Sequence, residues 1–134
     1  TSLQELYISP ALLTADQWDV LAAAASWARS NAAVLADTHW VGGDPAENEV
    51  YGWASWTPDK AILVLRNPAD QHKAIIVDPG AALELPEGSH RRYRMSTPRP
   101  DQRSLPVQVL NAGEPCPFEL EPFEVLVYEL VPEH

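Results

Sequence analysis

The chain has 134 residues, of which 46% are hydrophobic and 21% charged, which is enough for one domain with a single core. Its formal net charge of -10 argues against nucleic acid or an anionic lipid surface as a partner, and no apolar run reaches the roughly 18 residues of a membrane span. The single cysteine, Cys116, excludes an internal disulfide and a cysteine-rich zinc site.

The chain begins with Thr1 rather than Met, and no basic-then-apolar leader precedes it. We therefore expect a processed chain or a piece of a longer protein. Residues 3–8 alternate and stop at Ser9 and Pro10, which predicts a short strand.

Residues 14–35 predict the one long helix. Thr14 is a suitable N-cap, and Gln17 three residues later completes a capping box. Apolar residues follow two sides of this helix rather than one, with Trp18 on one side and Val20 and Trp27 on another. Since a surface helix on a single core has one apolar face, this helix is predicted to lie between two bodies.

The rest of the chain is typical of short strands. Residues 36–49 are interpreted as a loop, because Gly42, Gly43, Asp44 and Pro45 are strong turn residues. Beyond it we predict strands at 51–56, 61–66, 73–78, 82–85, 90–95, 105–111, 118–120 and 123–130. Residues 61–66 are apolar on both faces and predict a central strand, and residues 123–130 predict a buried closing strand. The fold class is therefore mainly β, an antiparallel β-sandwich of about seven or eight short strands with one long N-terminal helix packed against it.

Common catalytic and cofactor motifs are missing from the sequence. No glycine-rich phosphate-binding motif is present, so no cofactor is expected. The segment before Ser55 starts like a nucleophile elbow but lacks the second glycine, which favours an ordinary strand serine. Cys116 lies between Pro115 and Pro117, away from a helix N-terminus that would activate a thiol.

Several polar residues could bind a metal or act in catalysis, or could have structural roles alone. Asp37, His39 and Asp44 are of metal-ligating types, but their spacing equally fits hydrogen bonds that hold the connection after the helix, and no metal is expected. Glu47 and Glu49 could be a carboxylate pair for glycoside hydrolysis, but chance pairs are expected among 19 acidic residues.

A group of tryptophans and a group of arginines also have residue types that are suited to ligand binding. Trp40, Trp53 and Trp56 could stack on sugars, although Trp53 and Trp56 point to opposite faces of one strand, so that at least one packs in the core. Trp40 is the candidate for a sugar platform. A basic cluster could bind an anion or pair with the acidic excess, and it comprises Arg91, Arg92, Arg94, Arg99 and Arg103.

Five segments together resemble one family. They are LQELY at residues 3–7, ADTHWVGGDP at 36–45, YGWASW at 51–56, LRNP at 65–68 and PFEVLVYE at 122–129. With the helix between them, they resemble the C-terminal part of alpha-galactosidase-like (melibiase-type) glycoside hydrolases, over essentially the whole chain.

The resemblance implies a domain organisation. Residues 1–36 would be the last strand and helix of a (β/α)₈ barrel, residues 37–49 a linker, and residues 50–134 an antiparallel β-sandwich domain. Tyr7 would lie toward the active-site end of the barrel. The two catalytic aspartates of the family lie on earlier barrel strands and have no match here, so this chain alone is not expected to be catalytic.

The resemblance implies a partner, the missing catalytic barrel of the same polypeptide, and a secreted or periplasmic location. The leading hypothesis is a non-catalytic C-terminal domain that supports this barrel. One alternative is a carbohydrate-binding module that uses exposed tryptophans, and another is a small enzyme or metal protein that uses Asp37, His39 and Asp44. An isolated chain would expose its helix, fold it back or dimerise through it.

Overall fold

The computed structural model describes residues 8–99, 102 and 108–133. Their longest helix is α1 (Ala15–Ser30), and a one-turn helix, α2 (Pro79–Ala82), lies between strands. The strands are β1 (Thr38–Gly42), β2 (Tyr51–Thr57), β3 (Lys60–Arg66), β4 (Lys73–Val77), β5 (Arg92–Ser96), β6 (Gln108–Asn111), β7 (Cys116–Leu120) and β8 (Val125–Pro132). Three 3₁₀ turns occur at Pro10–Leu12, Val34–Ala36 and Pro45–Glu47.

These strands form two antiparallel sheets. One has six strands in the order β1-β2-β3-β8-β5-β6, and the other pairs β4 with β7. The prediction of a mainly antiparallel β fold is confirmed. β3 and β8 lie side by side in the middle of the larger sheet, so the central position predicted for residues 61–66 and the burial predicted for the last strand are also confirmed.

Both sheets contribute to one core. Alternate residues of the larger sheet face inward, which is the pattern expected for a sheet with one buried face. The inward side chains of both sheets lie in one cluster that includes Ala54, Leu63, Leu65, Val77, Phe118, Leu120, Leu126, Tyr128 and Leu130. The smaller sheet is therefore packed onto the larger one through this cluster.

Helix α1 is shorter than predicted. Its start is confirmed, since Gln17 N donates to Thr14 Oγ1 (3.4 Å) and Thr14 N donates to Gln17 Oε1 (2.9 Å). It ends at Ser30 rather than at residue 35, so the prediction of a long helix is wrong. The side-chain amide of Asn31 donates to the carbonyl of Trp27 in the last turn of the helix (2.9 Å). Such a hydrogen bond from side chain to backbone competes with helical hydrogen bonding and favours termination there.

The loop predicted for residues 36–49 is wrong at its start. Thr38–Gly42 forms β1, which pairs with β2 from Thr38 opposite Ser55 to Gly42 opposite Tyr51. Gly43, Asp44 and Pro45 lie in the connection of this hairpin, and Gly42 is the last residue of β1.

The strand predicted at residues 82–85 is also wrong, because the segment begins with the last residue of helix α2 and continues as a turn. Asp78 caps this helix, with Oδ1 accepting from Gly80 N (2.8 Å), and Pro79 is in the first turn, where proline is favoured. The same oxygen accepts from Gly113 N (2.7 Å), and these backbone donors lower the pKa of Asp78. The strand predicted at 3–8 lies outside the described residues except for Ile8, which is not in a strand, and residues 105–107 also lie outside them.

No helix within the described part of the chain is long and apolar enough to cross a membrane.

Candidate functional site

Helix α1 lies on the surface, with most of its residues exposed and Leu21, Ala25, Trp27 and Ala28 partly buried. None of its 16 residues is buried, and Trp18 and Val20 are 39% and 58% exposed. Leu12, just before it, is 81% exposed. Because residues two apart on a helix point to nearly opposite sides, Trp18 and Val20 leave apolar surface on two sides of α1.

The helix is attached to the sheet at its C-terminal half. Trp27 Nε1 donates to Glu129 Oε1 on β8 (2.7 Å), and Lys60 Nζ pairs with the same oxygen (2.8 Å). The following 3₁₀ turn, in which Val34 is buried, packs against β2 and β3.

Packing between helix and sheet is incomplete near the middle of α1. An apolar groove of about 350 Å³ remains there, which we call the helix groove. Its walls are Val20, Ala23, Ala24 and Trp27 from the helix, with Pro98, Arg99 and Val127 opposite.

Three aromatic rings lie together on the larger sheet, and we call them the aromatic cluster (Trp40, Tyr51 and Trp53). Trp40 lies directly opposite Trp53 in register and stacks on Tyr51, with ring centroids 5.2 Å apart and planes 9° from parallel. Trp53 meets both rings edge-on, at 5.8 Å from Trp40 and 5.4 Å from Tyr51. Trp40 is 52% exposed, so it presents indole surface to solvent.

The aromatic cluster and the helix groove share one face of the sheet. Trp40, Trp53, Val64 and Val127 are successive register partners across β1, β2, β3 and β8. Register partners in an antiparallel sheet project to the same face, and Val127 also lines the helix groove. An apolar row therefore runs from the exposed cluster to the helix.

Trp56 points the other way, as its odd spacing from Trp53 predicts. It packs against the core, and its Nε1 donates to the hydroxyl of the buried Tyr93 (3.2 Å). Tyr51 is the member of the cluster that sequence analysis missed. Its spacing of two from Trp53 places both on one face, and this was the available signal.

The predicted nucleophile candidates lack the environment for that chemistry. Ser55 is buried, and its hydroxyl is hydrogen-bonded to that of Thr38 (3.0 Å). Cys116 begins β7, and burial raises the pKa of its thiol, which disfavours the reactive thiolate.

Asp37 and His39 come together, but with Glu84 rather than Asp44. His39 Nε2 lies 3.4 Å from Asp37 Oδ1, and its Nδ1 lies 3.2 Å from Glu84 Oε1. Asp44 instead accepts a hydrogen bond from Ala46 N (2.8 Å) in the β1–β2 connection. No cluster of three His, Cys, Asp or Glu side chains suited to a metal ion occurs in residues 8–99, 102 and 108–133.

Glu47 and Glu49 have separate environments. Glu49 Oε2 accepts from Asp44 N (2.8 Å) and so stabilises its own turn. Glu47 lines an open cavity, considered further below.

The basic cluster is largely paired within the chain. Arg92 Nε and Arg94 Nε contact the two carboxylate oxygens of Glu133 at 2.9 and 3.1 Å. The hydrogen bond from Arg92, with the charges of both arginines, lowers the pKa of Glu133. Arg91 Nη2 donates to Ala112 O (3.3 Å). Tyr7 and Arg103 lie outside the described residues.

The chain has a mainly β fold with helix α1 on its surface. A similar fold occurs in a glycosidase-related protein. That protein, from Bacillus halodurans C-125, has been assigned as an alpha-N-acetylgalactosaminidase. The two superpose with a TM-score of 0.53 at 22% sequence identity, over 72% of this chain and 21% of that chain. The likeness shows a shared fold, and this chain spans about one fifth of the length of that protein. No protein-family model matches the sequence, and no curated protein matches it.

Proposed function

We propose that this chain is the non-catalytic C-terminal β-sandwich domain of an alpha-galactosidase-like glycoside hydrolase, and that it supports the catalytic barrel. Residues 1–36 would be the last strand and helix of that barrel, residues 37–49 the connection that carries the edge strand β1, and residues 50–134 the rest of the sandwich. The observation that carries the proposal is helix α1, whose apolar side chains are exposed on two sides and of which no residue is buried.

A helix at the junction of two bodies accounts for this exposure. The last helix of a barrel packs on barrel strands with one side and can contact a following domain with the other. Among the described residues, the Trp27 end of the helix is hydrogen-bonded to the β-sheet, through Glu129. The barrel would cover Trp18 and the remaining apolar surface, which a domain on its own would rarely leave in water.

The fold likeness supports the same assignment. The similar protein has been assigned to glycosidase chemistry, and the match covers 21% of it, as expected if this chain is one part of a longer enzyme. In this proposal the barrel supplies the catalytic carboxylates, and Tyr7 lies near its substrate. The full gene product should be assayed on nitrophenyl α-galactoside and nitrophenyl α-N-acetylgalactosaminide, and this chain alone should hydrolyse neither.

A charge placed on α1 tests the proposed interface. Trp18→Asp should lower the free energy of unfolding of the isolated chain by about 1 kcal/mol or less, because Trp18 is already 39% exposed and does not line the helix groove. In the full gene product the same substitution should cost roughly 2–4 kcal/mol, because the carboxylate would be buried without a partner. Urea unfolding of both proteins measures the two values.

Ser26→Asp is the matched control, since it introduces the same carboxylate at an exposed polar position of the same helix. It should have a small effect in both proteins. A gene product without a barrel, or equally small effects of Trp18→Asp in both proteins, would contradict the proposal. An isolated chain that sediments as a dimer and becomes monomeric with Trp18→Asp would assign the surface to a second copy.

A second candidate function is carbohydrate binding by the aromatic cluster. The specific observation that favours it is the geometry of Trp40, which is stacked on Tyr51 and half exposed. Such a ring has the flat apolar surface on which a sugar can stack, while Trp53 stands edge-on beside it.

Tryptophan fluorescence tests this candidate. Titration of the chain with galactosides and with common polysaccharides should shift the emission, and Trp40→Ala should abolish the shift. Trp18→Phe is the control, since Trp18 lies on α1 outside the cluster, and it should retain the response. A flat titration with every sugar would remove the carbohydrate-binding function of this cluster.

A further inference from the structure

An open cavity of about 480 Å³ lies where three connections meet, and its size is within the range of roughly 300–1,000 Å³ of small-molecule sites. The connections are β1–β2, β3–β4 and β7–β8. The residues that line it include Glu47, Asn48, Asp70, Gln71, Lys73 and Phe123. We call it the Phe123 cavity.

Phe123 is exposed to solvent and has an unfavourable backbone conformation. Its φ is +59°, in the left-handed region that bulky residues avoid, and its side chain is 63% exposed. Phe123 N donates to Ala69 O (3.0 Å) across the cavity rim. Glu121 N donates to Glu124 Oε2 (2.8 Å), which closes the turn around it. Strain of this kind is concentrated at functional sites, so the displayed ring is a candidate binding element.

A buried asparagine fixes two walls of the cavity relative to each other. Asn67 is fully buried, and its Nδ2 donates to Gln71 O (2.7 Å) and to Glu121 O (2.9 Å). Its Oδ1 accepts from Ala69 N (3.0 Å). The β3–β4 connection and the turn that carries Phe123 are thus joined through one side chain, as expected for a preorganised site.

The polar side chains of the cavity are available to a ligand. Within the described residues, those of Glu47, Asp70 and Lys73 make no hydrogen bond or ion pair. Two carboxylates can accept hydrogen bonds and one ammonium group can donate them. Their net negative charge, in a chain of net charge -10, disfavours an anionic ligand.

We propose that the Phe123 cavity binds a neutral carbohydrate. The apolar C–H face of a sugar ring would stack on Phe123, and the hydroxyls would donate to Glu47 and Asp70 and accept from Lys73. An apolar ligand would leave these charged groups desolvated and unpaired, which is unfavourable. The proposal does not depend on the barrel interface, because α1 is not part of this cavity.

Titration of the whole chain by ¹H–¹⁵N NMR tests the proposal. The probes are methyl α-galactoside, N-acetylgalactosamine and methyl α-glucoside, with galacturonate as the anionic counterpart. At least one neutral sugar should give saturable shifts in amides of residues 69–73 and 121–124, and galacturonate should bind more weakly than galactoside.

Phe123→Gly is the informative variant, because glycine adopts positive φ without strain and the variant should keep the stability of the chain or increase it. It should weaken sugar binding at least tenfold, whereas Phe123→Trp should retain it. Ile76→Ala is the control, since it removes an apolar side chain that is 71% exposed on β4. The affinity of this variant for the sugar should equal that of the parent chain.

Three results would overturn the proposal. The first is that none of the neutral sugars shifts these amides at tens of millimolar. The second is that Phe123→Gly binds as the parent chain does. The third is that the shifts map to the aromatic cluster and disappear in Trp40→Ala, which would place the sugar there.

Discussion

Replacing Asn67 with alanine is expected to lower the free energy of unfolding by about 2–5 kcal/mol, since each buried polar group that loses its partner costs roughly 1–3 kcal/mol. Asn67 directly follows β3 and is 0% exposed. Its amide contacts the carbonyls of Leu120 (3.3 Å) and Glu121 (2.9 Å) on the far side of the core, and its oxygen accepts from Ala69 N. Alanine would leave buried backbone groups at both ends of this link without partners.

Urea unfolding followed by fluorescence gives the change, provided that the slope with denaturant is unaltered. Asn111→Ala is the matched control. Asn111 donates to Glu114 (2.9 Å) on the surface, and such a pair should contribute less than about 1 kcal/mol. A loss at Asn67 as small as that at Asn111 would show that the buried link does not stabilise the fold.

The strands with clear alternation or continuous apolar character were predictable. β2, β3 and β8 lie within a residue or two of the predicted ranges, because the local pattern coincides with the buried face of the sheet. The central position of β3 was predictable for the same reason, since a strand covered on both faces needs apolar residues at successive positions.

The errors lie where local and tertiary signals compete. β1 is five residues long and directly precedes strong turn residues, so its partner β2 determines that it is a strand. Helix α1 ends at Ser30, and the side chain of the next residue, Asn31, is hydrogen-bonded to the last turn, although the alanine-rich sequence on either side favours a helix. In both cases one neighbouring contact outweighs propensity.

The candidate surfaces differ in how far the sequence predicts them. The two-residue period of a strand predicts that Trp53 and Trp56 lie on opposite faces. Trp40 was predicted as a sugar platform from its residue type. Stacking of Trp40 on Tyr51 needs the β1–β2 register, which spacing alone does not give. The Phe123 cavity joins residues from three connections, so only the tertiary fold brings them together.

The position of the aromatic cluster connects the two proposed functions. Its row of register partners leads through Val64 to Val127 beneath α1. A barrel that covers α1 would approach the same face of the sheet, and the two roles then compete for surface. Trp40→Ala in the full gene product separates them, because loss of stability indicates an interface and loss of sugar binding alone indicates a platform.

Leu126→Ala should cost about 2–5 kcal/mol of folding free energy, as truncation of a buried leucine does. Leu126 is 0% exposed on β8 and lies opposite Leu65 of β3, which is also 0% exposed. The two side chains belong to the cluster that holds both sheets together, so a cavity there weakens the contact between them. Val131→Ala, on the same strand at a position that is 47% exposed, is the control and should cost less than about 1 kcal/mol. A value below about 1 kcal/mol at Leu126 would mean that the core relaxes around the missing methyl groups or that β8 does not bury this residue.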